Sequence, residues 1–329
     1  MPSGIWKLPP YTVEQSFLAS EVDDKLDWGL AQLGVDKLWK KTRGKGVRVA
    51  ILDTGADLDH PDLKANIVAA KDFTGSRHGA QDVNVHGTHC AGIVAAADNG
   101  KGTIGVAPQA ELLIAKVLGD QGTGSTRSIN NGIRWAIEHK ADVISMSLGS
   151  PQRNASMLSV LQQASRKAIV ICAAGNDGRA DSVNWPARDT CNIAVASFNK
   201  HGQISRYSSR GPEVDIAAPG EEILSTGLQG GYATLSGTSM ATPFVAGIVA
   251  LMLAKKKRNL SSVRKALQET ARDIDKPGRD FASGWGLIQP SKLITNGAGS
   301  SGKGLCFAGI CFEPIEYDGR SGLFVSGGA

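Results

Sequence analysis

The segment Val47 to Gly55, VRVAILDTG, decides the class of fold. Apart from Arg48 its body is apolar up to Asp53, so the strand it predicts has both faces covered, as strands of a buried parallel sheet do. Runs of the same kind recur at Leu112 to Leu118, Asp142 to Leu148, Ala168 to Gly175 and Ile193 to Phe198. Helical stripes lie between them. Ile129, Ile133 and Ile137 stand at i, i+4 and i+8 within Ser128 to His139, and Met157, Leu158, Leu161 and Ala164 repeat that spacing. Strand and helix in alternation predict an α/β fold, a mainly parallel sheet with helices on both faces. In such sheets chemistry gathers outside the carboxyl ends of the strands, so the residues that follow each strand carry the functional reading.

Composition bounds the alternatives. The chain has 329 residues, 41% of them hydrophobic and 20% charged, values that exclude wholesale disorder, a collagen-like chain and a coiled coil. That length suits two domains, or one large α/β domain with appendages. The net charge of +5 is small and scattered, so no nucleic-acid partner is expected. Met1 to Asp24 is broken by prolines and charges and lacks the apolar run of an export signal. Met240 to Ala254, with Thr242 and Pro243 inside it, falls short of the ~20 residues that span a bilayer. A soluble, cytoplasmic protein with no membrane partner is expected. Cys90, Cys172 and Cys191 are widely spaced among small or apolar residues, which predicts buried free thiols rather than a disulfide framework.

Three places carry chemistry. Asp53 ends the first strand, and alone it is ambiguous: it suits a ribose hydroxyl, a metal or a turn as well as a catalytic role. His86 opens the run HGTHCAG at 86–92, where His89 follows at a spacing that permits a metal pair, although no further His/Cys cluster completes a zinc set. Ser239 lies in GTSMATP at 237–243, at the start of an apolar helix where a capping serine is common. A serine hydroxyl becomes a nucleophile when an imidazole takes its proton, a carboxylate orients that imidazole, and donors stabilise the oxyanion. Asp53, His86 and Ser239 supply the first three. Asn176, just after the strand ending in Ala174 and Gly175, supplies a side-chain donor.

VAILDTGADLDHPDL, HGTHCAGIVAA, ISMSLGSP, AAGND and SGTSMATPFVAG together resemble the subtilisin-type serine proteases, over roughly Trp28 to Ile294. The resemblance implies a three-layer α/β/α sandwich and endopeptidase activity through an acyl-enzyme. It gives Asp53 as the orienting carboxylate, His86 as the base, Ser239 as the nucleophile and Asn176 as the oxyanion donor. Substrate is implied to lie as an added strand between Gly122-Thr123-Gly124 and Ser147-Leu148-Gly149, which favours unfolded proteins or peptides of varied sequence. The specificity pocket is implied between Ser147 to Gly149 and Ala173 to Gly175, including Ala174, with Asn184 near its base. A structural calcium ion is implied at Asp62 and Asn99 through their side chains and at Ala97, Lys101 and Thr103 through carbonyls. Phe244 stands where many members carry His, a packing position.

The termini distinguish this chain within the family. Residues 1–26 are too few for a folded pro-domain, and Leu8-Pro9-Pro10-Tyr11 is similar to the short extension of intracellular subtilisins. That likeness implies an intramolecular inhibitor lying across the cleft, with a catalytic domain at 27–295. Residues 296–329 read as a Gly/Ser-rich linker and a short tail, a hairpin or a frayed end, containing Cys306 and Cys311. Intracellular members also imply a homodimer, although no sequence feature marks an interface. The alternative from another class is a catalytically idle scaffold that binds peptides by strand addition.

Overall fold

A computed structural model describes residues 5–18, 26–274 and 277–295, together with the strands of two hairpins beyond. In chain order the elements begin with β1 (Ile5–Lys7), β2 (Thr12–Phe17), α1 (Trp28–Leu33), α2 (Val35–Leu38), β3 (Arg48–Asp53), β4 (Ile67–Asp72) and α3 (His86–Ala95). They continue with β5 (Glu111–Lys116), β6 (Thr123–Ser125), α4 (Thr126–Glu138), β7 (Val143–Met146), α5 (Ala155–Ala164), β8 (Ile169–Ala173) and β9 (Ile193–Phe198). Then come β10 (Ile216–Pro219), β11 (Ile223–Thr226), β12 (Tyr232–Ser236), α6 (Thr238–Lys255), α7 (Leu260–Thr270) and α8 (Pro290–Thr295).

Seven strands form one sheet in the order β10-β9-β8-β7-β3-β5-β4, and every neighbouring pair is parallel. Alternation along β3 builds the two faces. Val49 and Ile51 join the buried cluster that holds α3 and α6, while Ala50 and Leu52 join the one that holds α4 and α5. This is the expected α/β/α sandwich. The chain leaves β3 for β5 and β4 on one side and for β7 to β10 on the other, so the loops at its carboxyl end part to form a crevice.

The central helix α6 is buried from Thr238 to Leu253. Each large apolar side chain sealed there, such as Phe244 or Leu251, contributes roughly 1.5–3 kcal/mol. Its 18 residues are long and apolar enough to cross a membrane by composition, but its place is inside the core. The expected strands form within one or two residues of their predicted ends. Not expected were β4, whose mixed-polarity face lies at the sheet edge, β10, and the antiparallel pair β11–β12.

Residues 1–294 and 295–329 are separate compact units. The first contains β1 and β2, so the described part of the N-terminal segment belongs to the body rather than being an appendage. The second contains two antiparallel hairpins, β13 (Cys306–Phe307) with β14 (Ile310–Cys311) and β15 (Pro314–Tyr317) with β16 (Arg320–Leu323). Cys306 and Cys311 are register partners in the first. The expected linker at 296–304 lies outside the described residues. Cys90 and Cys172 are buried free thiols, whereas Cys191 is partly exposed, because the Asp189 to Asn192 turn carries it to the surface.

Candidate active site

The last residue of β3 aims its carboxylate into the crevice. Asp53 Oδ1 accepts from the Thr54 N–H at 2.7 Å and lies 2.8 Å from His86 Nδ1, with both side chains essentially sealed from solvent. An Asp acceptor at Nδ1 places the ring proton there, so Nε2 keeps its lone pair. Several residues without a sequence signal hold this pair. The fully buried Lys116, level with Asp53 in the sheet, donates to Thr54 O at 2.5 Å and pairs with Asp120 at 2.9 Å. Asp82 accepts from the Thr54 hydroxyl through one oxygen and from the Thr88 N–H and hydroxyl through the other, tying the β3 loop to the first turn of α3. Val85, directly before His86, has φ +87, a strained value for a β-branched residue.

Ser239 sits in the first turn of α6. Pro243, four residues on, has no N–H to give the Ser239 carbonyl. That carbonyl is taken instead by the Ser147 hydroxyl at 2.9 Å and the Cys90 thiol at 3.4 Å. Cys90 Sγ is also 3.9 Å from His86 Nδ1, so one thiol touches both the base and the backbone of the nucleophile. Burial pushes that thiol's pKa well up, with the Asp53 charge adding to the effect, and keeps it protonated. Asn176 is fixed from the same helix: its Oδ1 accepts from the Thr238 N–H and hydroxyl at 3.0 and 2.7 Å, which leaves Nδ2 free to donate elsewhere. Among the described residues no hydrogen-bond partner falls on Asp53 Oδ2, His86 Nε2 or Ser239 Oγ. The serine and histidine are therefore not joined in this state.

The N-terminal segment lies across the site. Ile5, Trp6 and Lys7 pair antiparallel with Ser125, Gly124 and Thr123. On the other side Lys7 exchanges N–H···O bonds of 3.1 and 2.9 Å with Gly149, while the Leu8 N–H extends the first pairing to Gly122 O at 3.1 Å. The two backbone segments expected to flank substrate thus flank this chain. Trp6 is 1% exposed, seated in the core with its indole N–H on Thr126 Oγ1, and Pro9 is buried. The Pro10 carbonyl accepts from Asn176 Nδ2 at 2.5 Å. The Tyr11 ring then covers His86, with centroids 4.8 Å apart, while its hydroxyl donates to Asn84 at 3.1 Å. Burial, with the charges of Asp53 and Asp82, raises that phenol to about 12.

The expected pocket residues also meet. Ser147, Leu148, Ala174 and Gly149 are buried, and Gly175 has φ +112. A Cβ on Gly175 would lie 2.3 Å from Asn184 Nδ2, and one on Gly149 would lie 3.0 Å from Asn184 Cβ. Asn184 therefore spans the two walls where only glycines leave it room, and its amide donates to Asp177. At the calcium candidates, Asn99 Nδ2 reaches the buried Asp62 at 2.9 Å, and Asp62 also accepts from the Tyr232 hydroxyl and the Thr103 N–H. Ala97 N–H bonds the Asp62 carbonyl, and Lys101 N–H bonds Asn99 Oδ1. His89 does not face His86 as a metal partner. Its Nε2 lies 3.0 Å from both Ile223 O and Ala233 O, fastening β11 and β12 to α3, and burial lowers its pKa to about 3.

A model of the subtilase family matches residues 44–286. The chain is 47% identical over 245 residues to an intracellular serine protease of Paenibacillus polymyxa, covering 72% of this chain and 74% of that one. It is 40% identical over 279 residues to the major intracellular serine protease of Bacillus subtilis (strain 168), covering 82% and 86%. Thermitase of Thermoactinomyces vulgaris is 40% identical over 276 residues, covering 83% and 96%. With the parallel sheet, these matches make the chain a subtilisin-like serine protease, a member of the subtilase family.

Proposed function

We propose that this protease is an endopeptidase of broad specificity, acting on extended segments of unfolded or damaged proteins in the cytoplasm, and made as a zymogen shut by its own N-terminal segment. Ser239 Oγ attacks the carbonyl carbon as His86 Nε2 takes its proton, and Asp53 holds the ring for that transfer. The bond to Oγ forms, the carbonyl pair moves onto oxygen, and Asn176 Nδ2 donates to the oxyanion. Collapse expels the amine, protonated by His86, and leaves an acyl-enzyme that water hydrolyses by the reverse steps.

The observation that carries this reading is the Pro10 carbonyl on Asn176 Nδ2, reached by a chain that pairs as a strand on both sides up to Leu8. That carbonyl sits on the proposed oxyanion donor, as an attacked carbonyl would, yet Tyr11 covers the base. The preceding bond joins two prolines, whose fixed φ and missing N–H hold the chain out of regular strand geometry. The segment thus binds as substrate does while the proton acceptor is blocked. Removal of residues 1–25 should allow a fluorophosphonate to form an adduct on Ser239, and none in Ser239→Ala. A cut chain that stays unlabelled would leave an idle peptide-binding scaffold as the better account.

Asp62 fits a calcium ion: its buried carboxylate meets only neutral donors among the described residues, and a hard cation would complete it. Asp62 and Asn99 would hold the ion through side-chain oxygens, with the Asn99 amide turned over, and Ala97, Lys101 and Thr103 through carbonyls. The ion would brace this loop cluster, and binding to the folded state alone raises stability. EDTA should lower the melting temperature of Ser239→Ala, and an unchanged value would remove calcium from the account.

A further inference from the structure

We propose that the outer edge of β12, from Ser236 back to Tyr232, is a binding track for the part of a substrate chain that follows the scissile bond. This inference rests on the protease reading above and extends the site well beyond the residues next to the cut. β12 pairs with β11 on one side, and on the other with β2, in the register Thr12↔Ser236, Val13↔Leu235, Gln15↔Thr234, Ser16↔Ala233 and Phe17↔Tyr232. The segment crosses the catalytic residues and runs onto this edge in one direction, so a substrate seated in the same polarity reaches it without turning.

Three features make the edge a reader of main chain. The side chains from Thr12 to Ser16 are exposed and only Phe17 is half-buried, so the pairing makes little demand on sequence. The edge is preformed: the His89 ring lies against Ile223 O and Ala233 O, and the Ser225 and Thr226 hydroxyls donate to His89 O and Thr88 O, so the hairpin is fastened to the helix that begins with His86. β12 also runs directly through Gly237 into Ser239, which ties the track to the nucleophile. Close to the site, the Ser236 hydroxyl accepts from the Glu222 N–H and donates to Glu14. At the far end a Cβ on Gly231 would lie 2.6 Å from Phe17 O, so glycine keeps the track open there. Once β2 leaves, the N–H and C=O groups of β12 face solvent unpaired, and an extended polypeptide satisfies them.

The test uses the full chain, cut at a site-specific protease sequence inserted between Leu18 and Leu26 and freed of its N-terminal fragment. Two peptides are compared, one ending at the position of Val13 and one reaching the position of Phe17. Turnover is read in the cut wild type, and binding by fluorescence anisotropy in cut Ser239→Ala. The longer peptide should gain about tenfold in kcat/KM, mostly through KM, with a matching gain in binding. N-methylation at the position of Gln15 in one peptide and of Ser16 in another should abolish the gain in one and spare it in the other, since strand N–H groups alternate between partner and solvent. Gly231→Ala, checked for folding by its melting temperature, should bring the ratio of long to short toward one. Equal behaviour of short and long peptides in both assays overturns the track and leaves the protease reading standing. A binding gain without any turnover upholds the track and sinks the protease reading instead. Pairing of two cut copies through β12, with no length effect, also overturns it.

Discussion

The two halves of the N-terminal segment hold the body by different physics. Before Pro10 side chains add to the strand pairing: Trp6 lies in the core, Leu8 packs beside Gly122 and Pro9 is buried. After Tyr11 the grip is through the main chain, with the side chains of β2 turned to solvent. The first half is therefore particular to this sequence and locks the segment in place, while the second tolerates many sequences. The proposed zymogen would need the first kind of contact, because a plug held by backbone alone would compete on equal terms with any unfolded chain.

Trp6→Ala should break this contrast most sharply. Removing a buried Trp costs about 3–5 kcal/mol, nearly all of it in docking the segment. Fluorophosphonate labelling of Ser239, read by mass on chains that keep their N-terminus, should then rise by at least a hundredfold, and an unchanged rate would place the lock elsewhere.

The point where the segment hands over to the body gives a second, smaller effect. Asp27 caps α1 through Gly29 N–H at 2.7 Å and accepts from Leu224 N–H at 3.0 Å. Burial raises its pKa to about 7, against those N–H bonds, which act to lower it. Between about pH 4 and 7 the folded chain then holds a proton that the unfolded chain releases, so stability falls as pH rises through that window. Melting temperatures of Ser239→Ala should decline across it, and Asp27→Asn should flatten the slope; a slope that persists would assign it to other groups.

Glu14→Ala should give the smallest change. It removes one part-buried hydrogen bond from Ser236, a net contribution of about 0.5–1.5 kcal/mol, so labelling of the uncut chain should change by only a few-fold. A rise as large as that of Trp6→Ala would mean that both halves lock the site and would erase the distinction.

What could be read from the sequence follows the same division. Asp53, His86, Asn176 and Ser239 stand next to strand ends or helix starts, where period and glycines announce them. The flanking backbone segments Gly122 to Gly124 and Ser147 to Gly149 came from the family likeness, and the structure places Gly122 to Gly124 and Gly149 beside the N-terminal segment. Lys116 and Asp82 were invisible, because one ends an ordinary buried strand and the other lies in an irregular loop; their roles exist only once β3, β5 and α3 are packed. The freeing of the Ser239 carbonyl by Pro243 was legible in principle, since a proline four residues after any helical residue leaves that residue's carbonyl without its usual donor. β2 carried no signal: TVEQSF is polar and exposed, and its strand character comes from the edge it pairs with. The doubled proline obscured the register in sequence, and only the bonds at Leu8 and Pro10 define it.

The central claim is that the N-terminal segment closes a competent serine protease site. The most direct measurement is the rate at which a fluorophosphonate labels Ser239, followed by intact mass, in the uncut wild type and after removal of residues 1–25. The account predicts slow labelling of the uncut chain and labelling at least a hundredfold faster once the segment is gone. Equal rates in the two forms, or no adduct in either, would contradict it.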